Sequence, residues 1–130
     1  MTSGNRLAVA LGLALAACMG TAPSSAQKND AVARSAEIAG LSRAGKYSQA
    51  VPLAQRLLAD MERAHGPDHR DVAAALNNLA QLYGSEGRDA EAEPLYKRAL
   101  AIQEKVSGLD SPEVAPELNN LAALYQRQER

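Results

Sequence analysis

The sequence predicts an all-α fold, an α-solenoid built from antiparallel helix pairs. One segment is repeated 42 residues further along, and aligning Gly45–Arg88 with Gly87–Arg130 gives 20 identical positions out of 44. Repeats of this length are typical of solenoids, in which each unit buries its apolar face by stacking on the next. Apolar residues recur with the helical period, and no useful stretch alternates as a strand would. We therefore expect about two and a half repeats of helix pairs.

The first repeat is predicted to contain two helices after a polar linker at Gln27–Asp30. Asn29 or Asp30 can cap a first helix over Ala31–Arg43, which Gly45 ends. Its apolar face is expected to hold Ala33, Ile38 and Leu41. The second helix is expected from Ser48 to His65, where Gly66-Pro67 ends it. Its apolar stripe comprises Val51, Ala54, Leu58 and Met61.

The second repeat is predicted to contain a third helix over Asp71–Ser85 and a fourth that Asp89 caps and that runs to Val106. In the third helix Leu76, Leu79, Ala80 and Tyr83 fall at i, i+3, i+4 and i+7, which places them on one face. The fourth helix divides into an expected buried face and an expected wet face. The buried face comprises Ala92, Leu95, Tyr96, Ala99, Leu100 and Ile102, and the wet face Lys97, Arg98, Gln103 and Glu104.

A fifth helix follows Gly108 and extends to Gln128. Ser111-Pro112-Glu113 supplies a cap, a first-turn proline and a first-turn acid in sequence. Pro116, however, lacks the N–H that should donate to Pro112 four residues earlier. The helix is therefore expected to begin either at Ser111 or at Pro116.

The repeat resembles the tetratricopeptide repeat. The resemblance rests on the spacing Leu76-x2-Leu79-Ala80-x2-Tyr83-x3-Gly87, followed by Ala92, Tyr96 and Ala99. The longer period, with wording such as LNNLAxLY, is similar to the kinesin-light-chain-like branch of that family. The resemblance covers about residues 30–130 and implies a right-handed superhelix with helices crossing closely at the small residues Ala80 and Ala92.

The first repeat departs from this pattern, because Arg34 and Glu37 stand where the second repeat has Leu76 and Leu79. A weakly apolar outer helix suits a terminal unit with one wet face. The last repeat contains only its first helix before Arg130. The fifth helix is thus expected to act as a C-terminal cap, or to belong to a truncated or unusually short member of the family.

The candidate binding residues are amides on the first helix of each repeat. Helical rotation places them away from the stripe of Leu76 and Tyr83. The resemblance implies that this helix face lines a concave groove, where amides can pair with the backbone of a bound peptide. The alternative is that one asparagine of each pair bonds a neighbouring helix or loop. The candidates are Asn77, Asn78, Gln81, Asn119 and Asn120.

The function expected from these features is non-catalytic scaffolding through a protein or peptide partner. Motifs for phosphate, dinucleotide or zinc-finger binding and for nucleophilic catalysis are absent, so neither an enzyme nor a cofactor is expected. His65 and His69 lie near Asp68 and Asp71 without a recognised ligand spacing, and no metal is expected. The net charge of −1 does not favour nucleic acid. The alternative is self-association through the last helix, where Leu118, Leu121, Leu124 and Tyr125 would be exposed.

The N-terminal segment is predicted to be an export signal. Arg6 precedes an uncharged run over Leu7–Met19, which at 13 residues is too short to span a bilayer as a helix. Ser24-x-Ala26 suits an ordinary signal peptidase, giving a leader over 1–26, a repeat domain over 27–130 and a periplasmic or secreted product. Leu15-Ala16-Ala17-Cys18 resembles a lipoprotein signal, giving a leader over 1–17 and a membrane anchor on Cys18, the only cysteine. Both alternatives stay open, and neither leaves a transmembrane span in the mature chain.

Overall fold

The computed structural model describes residues 25–129, and those residues form helices joined by short connections. Residues 25–129 contain no strand, so the all-α prediction is confirmed. The helices are α1 (Ser25–Arg43), α2 (Tyr47–His65), α3 (Arg70–Ser85), α4 (Asp89–Ser107) and α5 (Ala115–Gln128), with a 3₁₀ turn at Pro112–Val114 before α5.

Each helix packs chiefly against its neighbours along the chain: α1 on α2, α2 on α3, α3 on α4, and α4 on α5. Short loops make successive helices antiparallel, so α1, α3 and α5 occupy equivalent places in the stack. The largest apolar cluster runs from Ile38 to Leu124 through all five helices. The protein is therefore an all-α solenoid with a continuous core, as predicted.

The centre of the stack is built from small residues beside large ones. Ala80 on α3 and Ala92 on α4 are fully buried in the same cluster, together with Tyr83 and Tyr96. A second cluster behind α3 joins Val72, Ala73 and Leu76 to Ala99 and Ile102 of α4. Alanine at these positions lets the helices approach closely, which confirms the predicted crossing of α3 and α4.

The helix ends repeat with the same period as the sequence. Gly45 and Gly87 follow α1 and α3 with φ of 74° and 76°, and Gly66 and Gly108 follow α2 and α4 with φ of 83° and 92°. Only glycine adopts this left-handed region without a steric penalty from Cβ. The glycines predicted to stop the helices therefore do so because of their backbone conformation.

The start of α1 differs from the prediction. The helix begins at Ser25, so Gln27–Asp30 is helical and not a linker, and neither Asn29 nor Asp30 is a cap. No proline or glycine interrupts this stretch, and the alanine-rich segment that follows propagates the helix backwards. The apolar face was also misplaced: Ala33 is exposed, whereas Ala31 packs against the core with Ile38 and Leu41.

Of the caps predicted for the later helices, Asp89 was wrong and Ser111 is confirmed. Arg88, not Asp89, is the N-cap of α4, and Asp89 instead accepts a hydrogen bond from Arg127 of α5 with an Nη2–Oδ1 distance of 3.1 Å. Ser111 does cap, since its Oγ accepts from the Glu113 backbone N–H at 3.3 Å. The α-helix proper starts at Ala115, one residue before Pro116, because the two prolines confine the first turn to 3₁₀ geometry.

Gln103 was placed wrongly on the wet face of α4. Its side chain is buried, and Nε2 donates to Ser107 Oγ at 2.9 Å and to Glu113 Oε2 at 3.1 Å. This network fastens the end of α4 to the turn before α5. The aligned residue of the first repeat is Met61, which is apolar and half-buried. An apolar residue at the equivalent position was the sequence feature that could have indicated burial of Gln103.

Two of the four apolar residues expected on the surface of α5 are in the core. Leu121 and Leu124 are buried against α4, in the cluster that contains Ala92 and Tyr96. Leu118 and Tyr125 are 51% and 38% exposed. The leader predicted over 1–26, including Cys18, lies outside the described residues except for Ser25 and Ala26, which begin α1.

Candidate functional site

A cleft lies between α1 and α3, with α2 as its floor. Its volume is about 320 Å³. Leu57 and Met61 of α2 form an apolar floor, and mostly exposed side chains of the flanking helices form the walls. We call this the α1–α3 cleft; its lining comprises Ala31, Val32, Ser35, Leu57, Met61, Asp71, Ala74, Ala75 and Asn78.

A wider cleft of about 680 Å³ continues from it toward the start of α1 and shares Ala31, Val32, Met61 and Asp71 with it. Charges of both signs line this part. Arg34 of α1 donates a hydrogen bond to Asp60 of α2, and Arg63 pairs with the same carboxylate at 2.5 Å. The Arg34–Asp60 contact holds α1 against α2 at the rim, although partly exposed ion pairs of this kind contribute little stability.

The structure separates the two asparagines of α3. Asn78 is exposed and lines the α1–α3 cleft. Asn77 is half-buried, and its Nδ2 donates to a carboxylate oxygen of Glu117 on α5. Asn78 thus takes the position expected of a groove residue, whereas Asn77 makes the interhelical bond that was the alternative.

The Asn77–Glu117 contact is unusual because both partners are withdrawn from solvent. Glu117 is 7% exposed, and Asn77 Oδ1 is the single buried side-chain oxygen or nitrogen within residues 25–129 that has no hydrogen-bond partner. Burying a carboxylate is costly unless a donor satisfies it, and Asn77 is that donor. Glu117 aligns with Ala75 in the preceding repeat, so nothing in the repeat pattern indicated this bond.

The remaining predicted amides do not line either cleft. Gln81 on α3 and Asn119 on α5 are exposed, and Asn120 is half-buried. Asn77 and Asn119 are therefore equivalent in sequence and different in surroundings. The groove residues that sequence reasoning missed are apolar or small: Val32, which is 69% exposed, and Ala74. The sequence feature that could have indicated the cleft was Val32, an apolar residue outside the apolar face predicted for the first helix.

The model of one protein family, Tetratricopeptide repeat, matches residues 32–105, more than half of the chain. The matched segment contains most of α1 and nearly all of α4, and it includes every residue that lines the α1–α3 cleft except Ala31. The chain belongs to the tetratricopeptide repeat family. Repeats of this family generally mediate protein–protein interaction and scaffolding. No curated protein was found to match the sequence.

The tetratricopeptide register continues into α5, beyond the matched residues. Tyr83 of α3 accepts a hydrogen bond from Gln55 of α2 at 2.8 Å, and its equivalent Tyr125 donates to Glu93 of α4 at 3.2 Å. Lys97 is 2.7 Å from Glu93, and its hydrogen bond lowers the pKa of that carboxyl. Each tyrosine therefore bonds the helix that precedes its own, but through a different position of that helix, since Glu93 aligns with Val51 and not with Gln55.

One face of α5 differs from its counterpart in the second tetratricopeptide repeat. Leu76 and Tyr83 of α3 are buried in clusters that include residues of α4, with 0% and 7% of their surfaces exposed, whereas the equivalent Leu118 and Tyr125 are 51% and 38% exposed. Ala122, equivalent to the buried Ala80, is also exposed. Within residues 25–129 no helix lies over this face. We call it the α5 stripe: Leu118, Ala122 and Tyr125.

Among residues 25–129, no helix is both long and apolar enough to cross a bilayer. The export signal and lipidation of Cys18 remain predictions.

Proposed function

We propose that this protein is a non-catalytic scaffold that binds a segment of a partner protein in the α1–α3 cleft. The observation that carries the proposal is the combination of an apolar floor with an amide at the edge. Leu57 and Met61 lie below, and the side chain of Asn78 lies above with no hydrogen bond to another group among residues 25–129.

Each part of the cleft suits one part of a bound segment. A volume of about 320 Å³ is at the lower end of the range of small-ligand sites, roughly 300–1,000 Å³, and fits an apolar side chain better than a folded surface. An asparagine amide both donates and accepts, so it can pair with a peptide N–H or C=O whatever the side chain. The segment that fits has an apolar anchor with free backbone groups beside it.

The test is a comparative pull-down with quantitative mass spectrometry. Ala74→Arg places a long charged side chain in the cleft at an exposed helical position, where arginine favours helix. Partners bound through the cleft should be lost from the pull-down, or their affinity should fall by about tenfold or more, which corresponds to roughly 1.4 kcal/mol. Ala59→Arg, at an exposed position of α2 outside both clefts, is the matched control.

A second variant addresses the amide itself. Asn78→Ala should weaken the binding of a purified partner by about 2- to 10-fold, the equivalent of roughly 0.5–1.5 kcal/mol for one hydrogen bond. Helical content and the melting temperature should be unchanged, since Asn78 is exposed. Retention of every partner by Ala74→Arg at wild-type levels would contradict binding in this cleft.

The second candidate function is self-association, and the α5 stripe favours it. The same residue types on α3 are buried under a helix, so the stripe has the composition of a helix–helix contact. A second copy can cover it in an antiparallel arrangement, because Ala122 lies near the middle with Leu118 and Tyr125 on either side, as a two-fold contact requires. The small alanine then permits close approach of the two helices.

Sedimentation equilibrium tests this second candidate. The wild-type chain should form a concentration-dependent dimer, and Leu118→Lys should make it monomeric. Ala123→Lys is the control, because Ala123 is exposed on α5 and aligns with the polar Gln81. A monomer at all concentrations, or a dimer that survives Leu118→Lys, would eliminate self-association through this stripe.

We also propose that the chain is exported, on the strength of the leader pattern alone. The intact mass of the protein recovered from the cell envelope distinguishes the two forms. Loss of residues 1–26 supports a soluble periplasmic or secreted product, and a lipid on Cys18 supports an anchored one. A full-length chain in the cytoplasm would contradict both.

A further inference from the structure

Two histidines and an aspartate meet where α2 ends and α3 begins. His65 is the last residue of α2, His69 is the N-cap of α3, and Asp71 lies in the first turn of α3. Their spacing in the sequence gave no reason to expect a metal. The structure nevertheless brings one potential ligand atom from each within 4.8 Å of the others.

The distances between these atoms are close to those of a metal centre. His65 Nε2 is 3.4 Å and His69 Nδ1 is 3.7 Å from Asp71 Oδ2. Zinc binds histidine nitrogen and carboxylate oxygen at about 2.0–2.1 Å, and a tetrahedron of that size separates its ligand atoms by about 3.4 Å. The carboxylate therefore already lies at nearly the right distance from both rings.

The two rings need a modest rearrangement before both can bind one ion. They are stacked, with centroids 4.3 Å apart and planes 15° from parallel, so their lone pairs point along separate planes. The Asp71 backbone N–H also donates to His69 Nδ1 at 3.1 Å. Turning the His69 ring exchanges this hydrogen bond for a metal bond, and 41% exposure of that side chain leaves room for the turn.

We propose that His65, His69 and Asp71 bind one zinc ion, with water as the fourth ligand. Two imidazoles and a carboxylate form a donor set that suits zinc better than the oxygen-seeking ions magnesium and calcium. His65 and Asp71 both line the wider cleft, so the ion is accessible from solvent. It joins the end of α2 to the start of α3 beside the proposed binding groove.

Calorimetric titration of the full chain with zinc chloride tests the proposal. One equivalent should bind, and the fitted dissociation constant sets the zinc concentration for the stability measurement. Zinc at about 100-fold above this constant should raise Tm by roughly 10–20 °C, because the ion binds only the folded state. The His65→Gln/His69→Gln and Asp71→Asn variants should lose both effects.

Asp68→Asn is the matched control, since Asp68 lies in the same loop but pairs with Lys105 at 2.5 Å and is outside the cluster. It should bind zinc as the wild type does. The double-histidine variant retains Cys18, so zinc held by that thiol would appear in the variant as well. Equal binding by the wild type and the double-histidine variant, or undiminished binding by Asp71→Asn, would overturn the site.

Discussion

Asn77 and Asn119 occupy the same place in successive repeats and have opposite surroundings. Asn77 donates to the buried carboxylate of Glu117, whereas Asn119 is exposed on α5. A polar side chain of identical type thus serves packing in one repeat and faces solvent in the next. Sequence alignment cannot distinguish the two, because Asn77 finds its partner on the following first helix, α5, whereas within residues 25–129 no helix follows α5 to offer Asn119 an equivalent partner.

Asn77→Ala should destabilise the fold by about 1–3 kcal/mol, because it leaves the Glu117 carboxylate buried without its donor. Asn119→Ala, the matched control, should stay within about 0.5 kcal/mol of the wild type. Urea unfolding monitored by circular dichroism measures both, and equal stabilities of the two variants would show that the Asn77–Glu117 bond contributes nothing.

Burial of Tyr96 makes the free energy of unfolding depend on pH. Its side chain is 4% exposed, and burial raises its pKa above the usual value. The unfolded chain therefore ionises this tyrosine first, so its contribution to stability is complete below pH about 10 and declines as the pH rises toward the higher folded pKa. Unfolding free energies at pH 9 and pH 11 should differ less in Tyr96→Phe than in the wild type. The same decline in both would rule out Tyr96 as its source.

At the scale of helices, the sequence predicted their existence and cores better than their ends. The stripe of Leu76, Leu79, Ala80 and Tyr83 is buried as its spacing indicated. The start of α1 was missed, because Asn29 and Asp30 suit a cap and also tolerate a helix interior. Helix ends depend on competition of this kind, in which tertiary context and neighbouring propensities outweigh one local signal.

The crossing of α3 and α4 should tolerate little extra volume. Ala80→Leu or Ala92→Leu adds a branched side chain where the alanine is fully buried, and each should cost about 1–3 kcal/mol. Ala101→Leu, at an exposed position of α4, is the control. Gln103, which the sequence placed on the exposed face of the same helix, is not suitable because it is buried and hydrogen-bonded. Thermal melts in which Ala101→Leu is the least stable of the three would contradict the assigned register.

At the scale of the whole molecule, the 42-residue period predicted the solenoid because every stacked unit must repeat the same contacts. It placed the glycines and the small residues at the crossing correctly. It did not identify Val32 or Ala74 as cleft residues, since one wall of the cleft belongs to α1, whose sequence departs from the repeat pattern. Function in this fold is expected where the repeats differ.

Chemical-shift mapping of the ¹⁵N-labelled chain distinguishes the α1–α3 cleft from the α5 stripe as the surface that binds a partner segment. On addition of a partner recovered from the pull-down, we expect the largest backbone shifts at Val32, Ala74 and Asn78, with little change along the α5 stripe. Shifts concentrated at Leu118, Ala122 and Tyr125, with those of the cleft unchanged, would show that the partner does not bind in the cleft.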